Sequence, residues 1–443
     1  MYKLYPYFTN DGSVGLFSPK DDDIYHSTLG AALEAYEKFI LPAKLDDYFL
    51  TNSEIKILDI CYGIGYNSKS FLNYFQNFQK KFLKNFSKKY LLCEKRLSPY
   101  NDKIYTNNIS STDYNAQIYS DNNSNKFDNE SVERIKNFKI YIKAIDTDKN
   151  LAFLSPFIKA NGKIPSKRYK LPFDNPKIEK YMALNKDKHY DKNFVTYPEE
   201  LDIILLDKIC SNHPEILKDS EFIEVINNKD YRQYFEPSIC RLFKMYYFRG
   251  YNYTPLWGFL SNLHNIYYKY LSKRYKRALN SLLYKNFDFE LKIKDARQEL
   301  LADKNTYNYI FLDAFTPSKC PALWTIDFFK LLHNKLDENG RLLTYANSAA
   351  VRNAMINAGF YIGKIYNSAE NKFTGTIAVK NKSLIEHELS EYDLGLLKTR
   401  AGIFYRDQNL TGQNEAIIEE HLREVNNSNL ISSSKYIKQF KRR

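Results

Sequence analysis

The sequence is short of cysteine and glycine and has no long apolar stretch, and each shortage excludes a class of protein. Its five cysteines among 443 residues are odd in number, and the closest two, Cys210 and Cys240, are 30 positions apart. That spacing argues against a disulfide framework and against a zinc site, so we expect no metal. It also fits the reducing environment of the cytoplasm, where we expect the protein to lie.

No run of about 18 consecutive apolar residues is present, so we expect no membrane span. The first residues, Met1 to Pro6, lack the apolar core and the small-residue cleavage site of a secretion signal. Apolar residues make up 44% and charged residues 26% of the chain, which excludes wholesale disorder. The net charge of +13 points to a polyanionic partner only where the basic residues cluster.

Short apolar runs alternate with helical patterns near both ends of the chain. This alternation predicts an α/β fold, a mainly parallel sheet with helices on both faces and long insertions. An amphipathic helix with a Ser or Thr cap is expected at 31–40. Strands are expected at 55–60, 138–146, 289–293, 309–312 and 342–345, with a final hairpin at 361–366 and 374–379.

Composition suggests where the insertions lie. Asn, Ser and Asp occupy 17 of the 32 positions from 100 to 131, which is typical of a loop insertion. We expect an N-terminal lid or extension (1–51) and a main α/β domain (52–412). Inside that domain we place a low-complexity insertion (98–137) and a largely helical insertion (150–285). A C-terminal helix and a basic tail (413–443) would follow.

The first buried strand ends in an acid and two glycines, Asp59-Ile60-Cys61-Tyr62-Gly63-Ile64-Gly65. The glycines allow the backbone to approach a ligand, but Ser68 stands where the dinucleotide fingerprint has a third glycine. An acid before such a loop suits an ammonium group, and Asp followed by GxG is the general pattern of S-adenosylmethionine sites. An ordinary strand-turn-helix connection would carry the same glycines.

Further acids are expected where other strands end. Asp146 is placed to bind ribose hydroxyls, and Glu94 is its rival for that role. Asp295 follows the strand at 289–293 and is placed to accept from an adenine amino group, although a helix N-cap is an equally natural role.

The most informative segment is 310–324, in which a buried strand enters a loop with an acid, an aromatic and two prolines. Asp313 is a candidate general base. Phe315 is a candidate platform for a planar base, and Lys319 lies in the same loop. The prolines predict a loop of fixed shape.

Basic and aromatic residues interleave from 267 to 278. Lys273, Arg274, Lys276 and Arg277 are candidates for phosphate binding among four tyrosines. A solvated helix face would have a similar composition.

These segments resemble the methyltransferase module of MnmC, the enzyme that completes 5-methylaminomethyl-2-thiouridine at the tRNA wobble position. The stretch 312–324 is similar to the family's LDGFAPxKNPxxW, and 340–360 to its GGxLxTYxxxxxVRxxLxxAGF. Asp59 to Asn67 is similar to the family's acid, glycines around an aromatic and Leu-Asn, with Tyr66 where the family has leucine, and Asp23 to Ser27 is similar to its DDxYFS. The resemblance implies that residues 52–412 form a methyltransferase domain with a Rossmann-like sheet.

The resemblance implies S-adenosylmethionine as the methyl donor and the amine of 5-aminomethyl-(2-thio)uridine as the acceptor. It implies that Asp59, Gly63, Gly65 and Asn67 line the cofactor and that Asp313 is the catalytic acid/base. We expect the insertion at 236–285 to hold the tRNA anticodon arm. Because no GxGxxG is present, we expect no flavin domain.

Cys61 and Ala314 depart from the family, which has glycine at both positions. Two alternatives therefore stay open. One is a methyltransferase acting on a small-molecule or protein amine. The other is a non-catalytic RNA-binding protein on a methyltransferase scaffold.

Overall fold

The structure, a computed structural model, describes residues 3–19, 23–26, 30–97, 129–160, 197–246, 261–367 and 371–441. The strands in these residues are β1 (Pro6–Phe8), β2 (Val14–Ser18), β3 (Asp23–Ile24), β4 (Glu54–Ile60), β5 (Lys139–Asp146), β6 (Phe287–Ile293), β7 (Tyr307–Leu312), β8 (Leu336–Thr344), β9 (Tyr361–Asn367) and β10 (Lys372–Val379).

The helices form three groups along the chain. Before β5 the described helices are α1 (Ala31–Ala35), α2 (Leu45–Thr51), α3 (Tyr66–Leu97) and α4 (Asn129–Lys136). Between β5 and β6 they are α5 (Lys149–Leu154), α6 (Glu199–Asn212), α7 (Ser220–Asn227), α8 (Pro237–Tyr246), α9 (Ser261–Leu279) and α10 (Leu282–Asn286). After β6 they are α11 (Ala296–Ala302), α12 (Ile326–Lys335), α13 (Ala349–Asn357), α14 (Glu391–Leu397), α15 (Asn414–Asn427) and α16 (Ser433–Phe440).

Seven strands form one mixed sheet in the order β6-β5-β4-β7-β8-β10-β9. The first five are parallel, and β10 runs antiparallel to β8 and β9. The strand order reverses beside β4, which is where open α/β sheets bind ligands. The expected α/β, Rossmann-like fold class is confirmed. Strands β6, β7 and β8 each begin earlier than the sequence pattern indicated.

Alternate residues of the central strands enter different hydrophobic clusters. On β4, Ile55 and Ile57 join one cluster, while Leu58 and Ile60 join the other. A parallel strand buried on both faces has this continuous apolar character. Asp59 therefore lies within a buried strand, on the face of Ile57.

The N-terminal strands β1–β3 form a small antiparallel sheet of their own. Helix α1, which continues as a π-helical turn over Tyr36–Ile40, packs on α3. Its first-turn amides do not use a local Ser or Thr cap. Instead, Ala31 N donates to Ser13 Oγ at 3.0 Å and Leu33 N donates to Asp11 Oδ2 at 2.9 Å. These bonds fix the start of α1 to the turn between β1 and β2.

The described parts of the insertion between β5 and β6 are helical. Residues 161–196 and 247–260 lie outside the described residues, as does most of the low-complexity insertion, 98–128. Helix α3 extends to Leu97, so Glu94 lies in a helix and not at a strand end. This placement removes the geometric reason for considering Glu94 as the ribose ligand. None of the helices in the described ranges has both the length and the apolar character of a membrane span.

Candidate active site

A cavity of about 590 Å³ lies at the carboxyl ends of the parallel strands. Its volume is within the range of small-molecule sites. Residues that follow five successive strands line it: Asp295 after β6, Asp146 at the end of β5, Gly63 after β4, Asp313 after β7 and Tyr345 after β8. The sheet topology thus brings together side chains that are up to about 280 positions apart in the sequence.

The loop after β4 has left-handed backbone at three positions. Cys61 has φ 63°, Gly63 has φ 55° and Gly65 has φ 79°. Glycine is favoured in this region, so Cys61 holds a backbone conformation that few other residue types adopt. A Cβ on Gly63 would meet only the Cys61 carbonyl oxygen, at 3.9 Å. The cavity is therefore open above the Gly63 backbone.

Asp59 does not line the cavity but lies behind the glycine loop. Its side chain is fully buried, and Oδ2 accepts a hydrogen bond from Ser68 Oγ at 2.6 Å. Oδ1 has no hydrogen-bond partner among the described residues. Burial raises the pKa of Asp59 to about 7. Asp59 thus joins β4 to the start of α3 and places negative charge beneath the loop.

Asp146 holds the two strand-end loops together. Its Oδ2 accepts from Gly63 N at 2.7 Å, and its Oδ1 accepts from Asp148 N at 2.8 Å. Burial raises the pKa of Asp146 to about 6, against the lowering effect of these backbone bonds. Asp146 lines the cavity and each of its carboxylate oxygens can accept a second hydrogen bond, which suits a ribose diol.

Asp295 lines the cavity, but its oxygens are already bonded. Oδ1 accepts from Arg297 N at 2.8 Å, as in a helix N-cap, and Oδ2 accepts from Arg297 Nη2 at 2.7 Å. Although burial acts to raise it, these bonds hold the pKa of Asp295 below its usual value. In the structure Asp295 is therefore the N-cap of α11.

Asp313 faces the cavity at the end of β7. Asn67 lies outside the cavity lining, and its Nδ2 donates to Asp313 Oδ2 at 3.1 Å. Burial, followed by the negative charge of Glu34, raises the pKa of Asp313 to about 7, while the Asn67 bond opposes the shift. A carboxyl group with this pKa exchanges protons readily near neutral pH, as a general base must.

The loop after Asp313 has a fixed shape, as its prolines predict. Trp324 Nε1 donates to the Phe315 carbonyl at 2.7 Å, and Tyr345 OH donates to the Ala314 carbonyl at 2.7 Å. The Phe315 ring lies 4.8 Å from the Tyr25 ring, and both line the cavity. Lys319 is exposed and does not line it.

Sequence reasoning missed the N-terminal wall of this cavity. Tyr25, His26 and Glu34 line it opposite the glycine loop. The resemblance at 23–27 was the available signal, although Ser27 lies outside the described residues. Burial lowers the pKa of His26 to about 4, and its Nε2 has no hydrogen-bond partner among the described residues. Glu34 is ion-paired with Lys38 on the same helix.

The basic helix α9 divides into two faces. Lys273, Lys276 and Arg277 are exposed. Arg274 instead forms an ion pair with Glu199, with Nη2 2.5 Å from Oε2. Tyr275 is buried and donates to Asp207 Oδ1 at 2.8 Å. Three of the four candidate cations therefore face solvent, and the fourth connects α9 to α6.

The residues present fit S-adenosylmethionine. Gly63 leaves open space beside its backbone, and Asp146 offers carboxylate oxygens to a diol. The three carboxyl groups around the loop, buried Asp59 and partly buried Asp146 and Asp313, favour a ligand that carries positive charge. Within the described residues, no cluster of His, Cys, Asp and Glu is arranged to hold a metal ion.

We predict that Gly65→Ala destabilises the protein more than Gly63→Ala does. A Cβ on Gly65 would lie 2.3 Å from Ser155 Oγ and 2.5 Å from Tyr62 OH, in addition to the cost of left-handed backbone. We expect a loss of about 3 kcal/mol in the free energy of unfolding for Gly65→Ala and of about 1 kcal/mol for Gly63→Ala. Urea denaturation measures both. Equal losses would contradict the packing described for Gly65.

Comparison with known proteins supports the same class of enzyme. Residues 259–381 match the family of S-adenosyl-L-methionine-dependent methyltransferases. The chain is 32% identical to an uncharacterized protein of Methanocaldococcus jannaschii over 153 residues. These residues make up 34% of this chain and 43% of that protein. It is also 42% identical to the tRNA 5-methylaminomethyl-2-thiouridine biosynthesis bifunctional protein MnmC of Burkholderia multivorans over 55 residues. These residues make up 12% of this chain and 8% of that protein.

The chain thus spans less than half the length of these two relatives. Among solved structures, MNMC2 of Aquifex aeolicus is similar with a TM-score of 0.48 and 15% identity, over 96% of this chain and 86% of that one. The family match over residues 259–381 and the strand order of the sheet both support an S-adenosyl-L-methionine-dependent methyltransferase.

Proposed function

We propose that this protein methylates the primary amine of 5-aminomethyl-(2-thio)uridine at the wobble position of tRNA. The observation that carries the proposal is Asp313, a partly buried carboxyl group that Asn67 orients beside an aromatic wall in the candidate cofactor cavity. The 55-residue similarity to a protein named for 5-methylaminomethyl-2-thiouridine biosynthesis supports this choice of acceptor.

Each side chain has a separate task in this proposal. S-adenosylmethionine, when bound, supplies a methyl group on a positively charged sulfur. Asp146 holds the ribose, and the Gly63 backbone allows close approach of the cofactor. Holding donor and acceptor in line can contribute about 7–11 kcal/mol to lowering the barrier.

Asp313 accepts the proton that the substrate amine must lose before it can attack the methyl group. An aminomethyl group is an ammonium ion at neutral pH and has no lone pair to attack with. The Asp313 carboxylate accepts one proton from this ammonium, which leaves a neutral nucleophilic amine. A base of this kind contributes roughly 10²–10⁴-fold to the rate.

The aromatic wall suits a uracil ring. Phe315 and Tyr25 lie against each other on the cavity surface, and the carbonyl of Phe315 is fixed by Trp324. Single-stranded bases bind proteins by stacking on such rings. The exposed cations Lys273, Lys276 and Arg277 would bind phosphates of the anticodon arm.

The deciding experiment is methyl transfer from labelled S-adenosylmethionine into tRNA from cells that lack this protein, followed by digestion to nucleosides. Label in 5-methylaminomethyl-(2-thio)uridine is the expected result. Cofactor binding without label would favour a small-molecule or protein amine as acceptor. The absence of both label and cofactor binding would favour the RNA-binding scaffold.

We predict that Asp313→Asn retains cofactor binding and loses about 10²–10⁴-fold in turnover, because the amide accepts from Asn67 but cannot take a proton. Asp288→Asn, an exposed strand residue, is the matched control and should leave turnover unchanged. Single-turnover methyl transfer measures the rate, and calorimetry measures cofactor binding. Normal turnover of Asp313→Asn would show that another group removes the proton.

The rate should also rise with pH through about 7 and level off above it, because Asp313 acts as a base only when deprotonated. Asn67→Ala removes a hydrogen bond that stabilises the Asp313 carboxylate, so the midpoint of this rise in rate should move to higher pH. Glu34→Gln removes a like charge and should move it to lower pH; Lys38, which faces the same group, stays in place. Profiles of kcat/KM against pH test both shifts. Identical limbs in all three proteins would assign the titration to another group.

Replacement of Lys273, Lys276 and Arg277 by alanine should raise the KM for tRNA. Each lost phosphate contact should reduce the slope of log affinity against log salt by about 0.7–0.9. Replacement of Lys435, Lys438 and Lys441, in and just after α16, is the control with equal charge loss. If only the control set changes the salt slope, the RNA surface lies at the C-terminal helix and not on α9.

A further inference from the structure

The segment from Arg406 to Asn414, which we name the C-terminal strap, lies against the cofactor cavity. Arg297 at the start of α11 fixes it in place. Arg297 Nη1 donates to Asp407 Oδ2 at 2.7 Å and to the Gly412 carbonyl at 2.9 Å. Arg297 is only 7% exposed, so these bonds act with little competition from water.

Asp407 organises the strap internally. Its Oδ1 accepts from Thr411 N at 3.2 Å and from Gly412 N at 3.0 Å, and its side chain is buried. Its own backbone N donates to Asp327 Oδ2 at 2.8 Å on α12. Gln298 Nε2 donates to the Leu410 carbonyl at 2.9 Å. The strap is therefore bonded to both α11 and α12.

The strap contributes Gly412, Gln413 and Asn414 to the cavity lining, alongside Asp295 and Arg297. Asp295 follows β6, the strand beyond Asp146, so these residues lie on the ribose side of the cavity. Asp313, where the acceptor would bind, follows β7 on the other side of β4. The strap thus forms the wall of the cavity beside Asp295, and it also reaches the loop after β7, where Ala322 N donates to Asn414 Oδ1 at 3.3 Å.

Asp295 cannot serve freely as the adenine ligand there, because Arg297 occupies its oxygens. Gln413 is differently placed. It is exposed at the cavity wall, and its side-chain amide forms no hydrogen bond with any described residue. A glutamine amide has one acceptor oxygen and one donor NH2 group. This pair recognises adenine when the oxygen accepts from the N6 amino group and the NH2 donates to N7.

We propose that the C-terminal strap closes the adenosine end of the cofactor site and that the Gln413 amide reads the adenine edge of the bound cofactor. The inference rests on the proposed function only in taking S-adenosylmethionine as the cofactor, and it is independent of the identity of the methyl acceptor.

The test is the binding of two product analogues by calorimetry. S-adenosylhomocysteine carries the adenine amino group, and S-inosylhomocysteine has a carbonyl in its place. Wild-type protein should prefer the adenosyl compound by about tenfold. Gln413→Ala should bind it about tenfold more weakly and should lose most of this preference. Gln408→Ala is the control, since Gln408 lies in the same strap but outside the cavity lining.

The outcomes distinguish a failure of the strap inference from a failure of the cofactor assignment. If wild type binds neither compound, the cofactor assignment itself fails. If wild type binds and Gln413→Ala behaves like Gln408→Ala, the strap inference is overturned and the cofactor assignment stands. Thermal unfolding of each variant identifies any loss of binding that comes from misfolding.

Hydrogen exchange gives a second readout that needs no substitution. Saturation of wild-type protein with S-adenosylhomocysteine should slow amide exchange in the peptide that covers 406–414. Unchanged exchange in that peptide, together with protection of the glycine loop at 61–66, would show that the strap does not close on the cofactor.

Discussion

The hydrogen bond from the Gly63 amide to the Asp146 carboxylate joins the ends of the two strands between which the candidate cofactor site is built. It requires left-handed backbone at Cys61, Gly63 and Gly65, which turns the chain sharply enough to start α3 beneath the cavity. The start of α3 in turn places Asn67 against Asp313. The proposed base is therefore positioned by a loop whose shape depends on a carboxylate from a third segment.

Burial of acids gives this region its electrostatic character. Asp59, Asp146 and Asp313 all have raised pKa values, because a carboxylate loses its hydration inside the protein. Such a site is unfavourable for an anionic ligand and favourable for a cation. The sulfonium of the cofactor and the ammonium of an amine acceptor both satisfy this requirement. The charge distribution therefore agrees with amine methylation without depending on any single side chain.

Sequence reasoning was most successful where a feature is local. The buried strands, the glycine loop and the rigid loop after Asp313 follow from apolar runs, glycines and prolines, and the structure has each of them. It was less successful for residues whose side chains are already bonded to other groups in the folded chain. Asp295 and Arg274 have the residue types that ligand binding needs, but Arg297 and Glu199 already occupy them. The helix cap of α1 likewise comes from Asp11 and Ser13, well before the helix in the chain.

The sequence by itself determined the α/β class and the strand-end acids, because periodicity and turn residues are written along the chain. The broad class of chemistry was indicated by the resemblance of short motifs to a known family. Only the tertiary structure decided which of those acids face the cavity, which are ion-paired, and that Tyr25, Glu34 and Gln413 complete its walls. These residues come from opposite ends of the chain. Their meeting depends on the order of the strands in the sheet and on the buried hydrogen bonds of Arg297, and no local pattern encodes either.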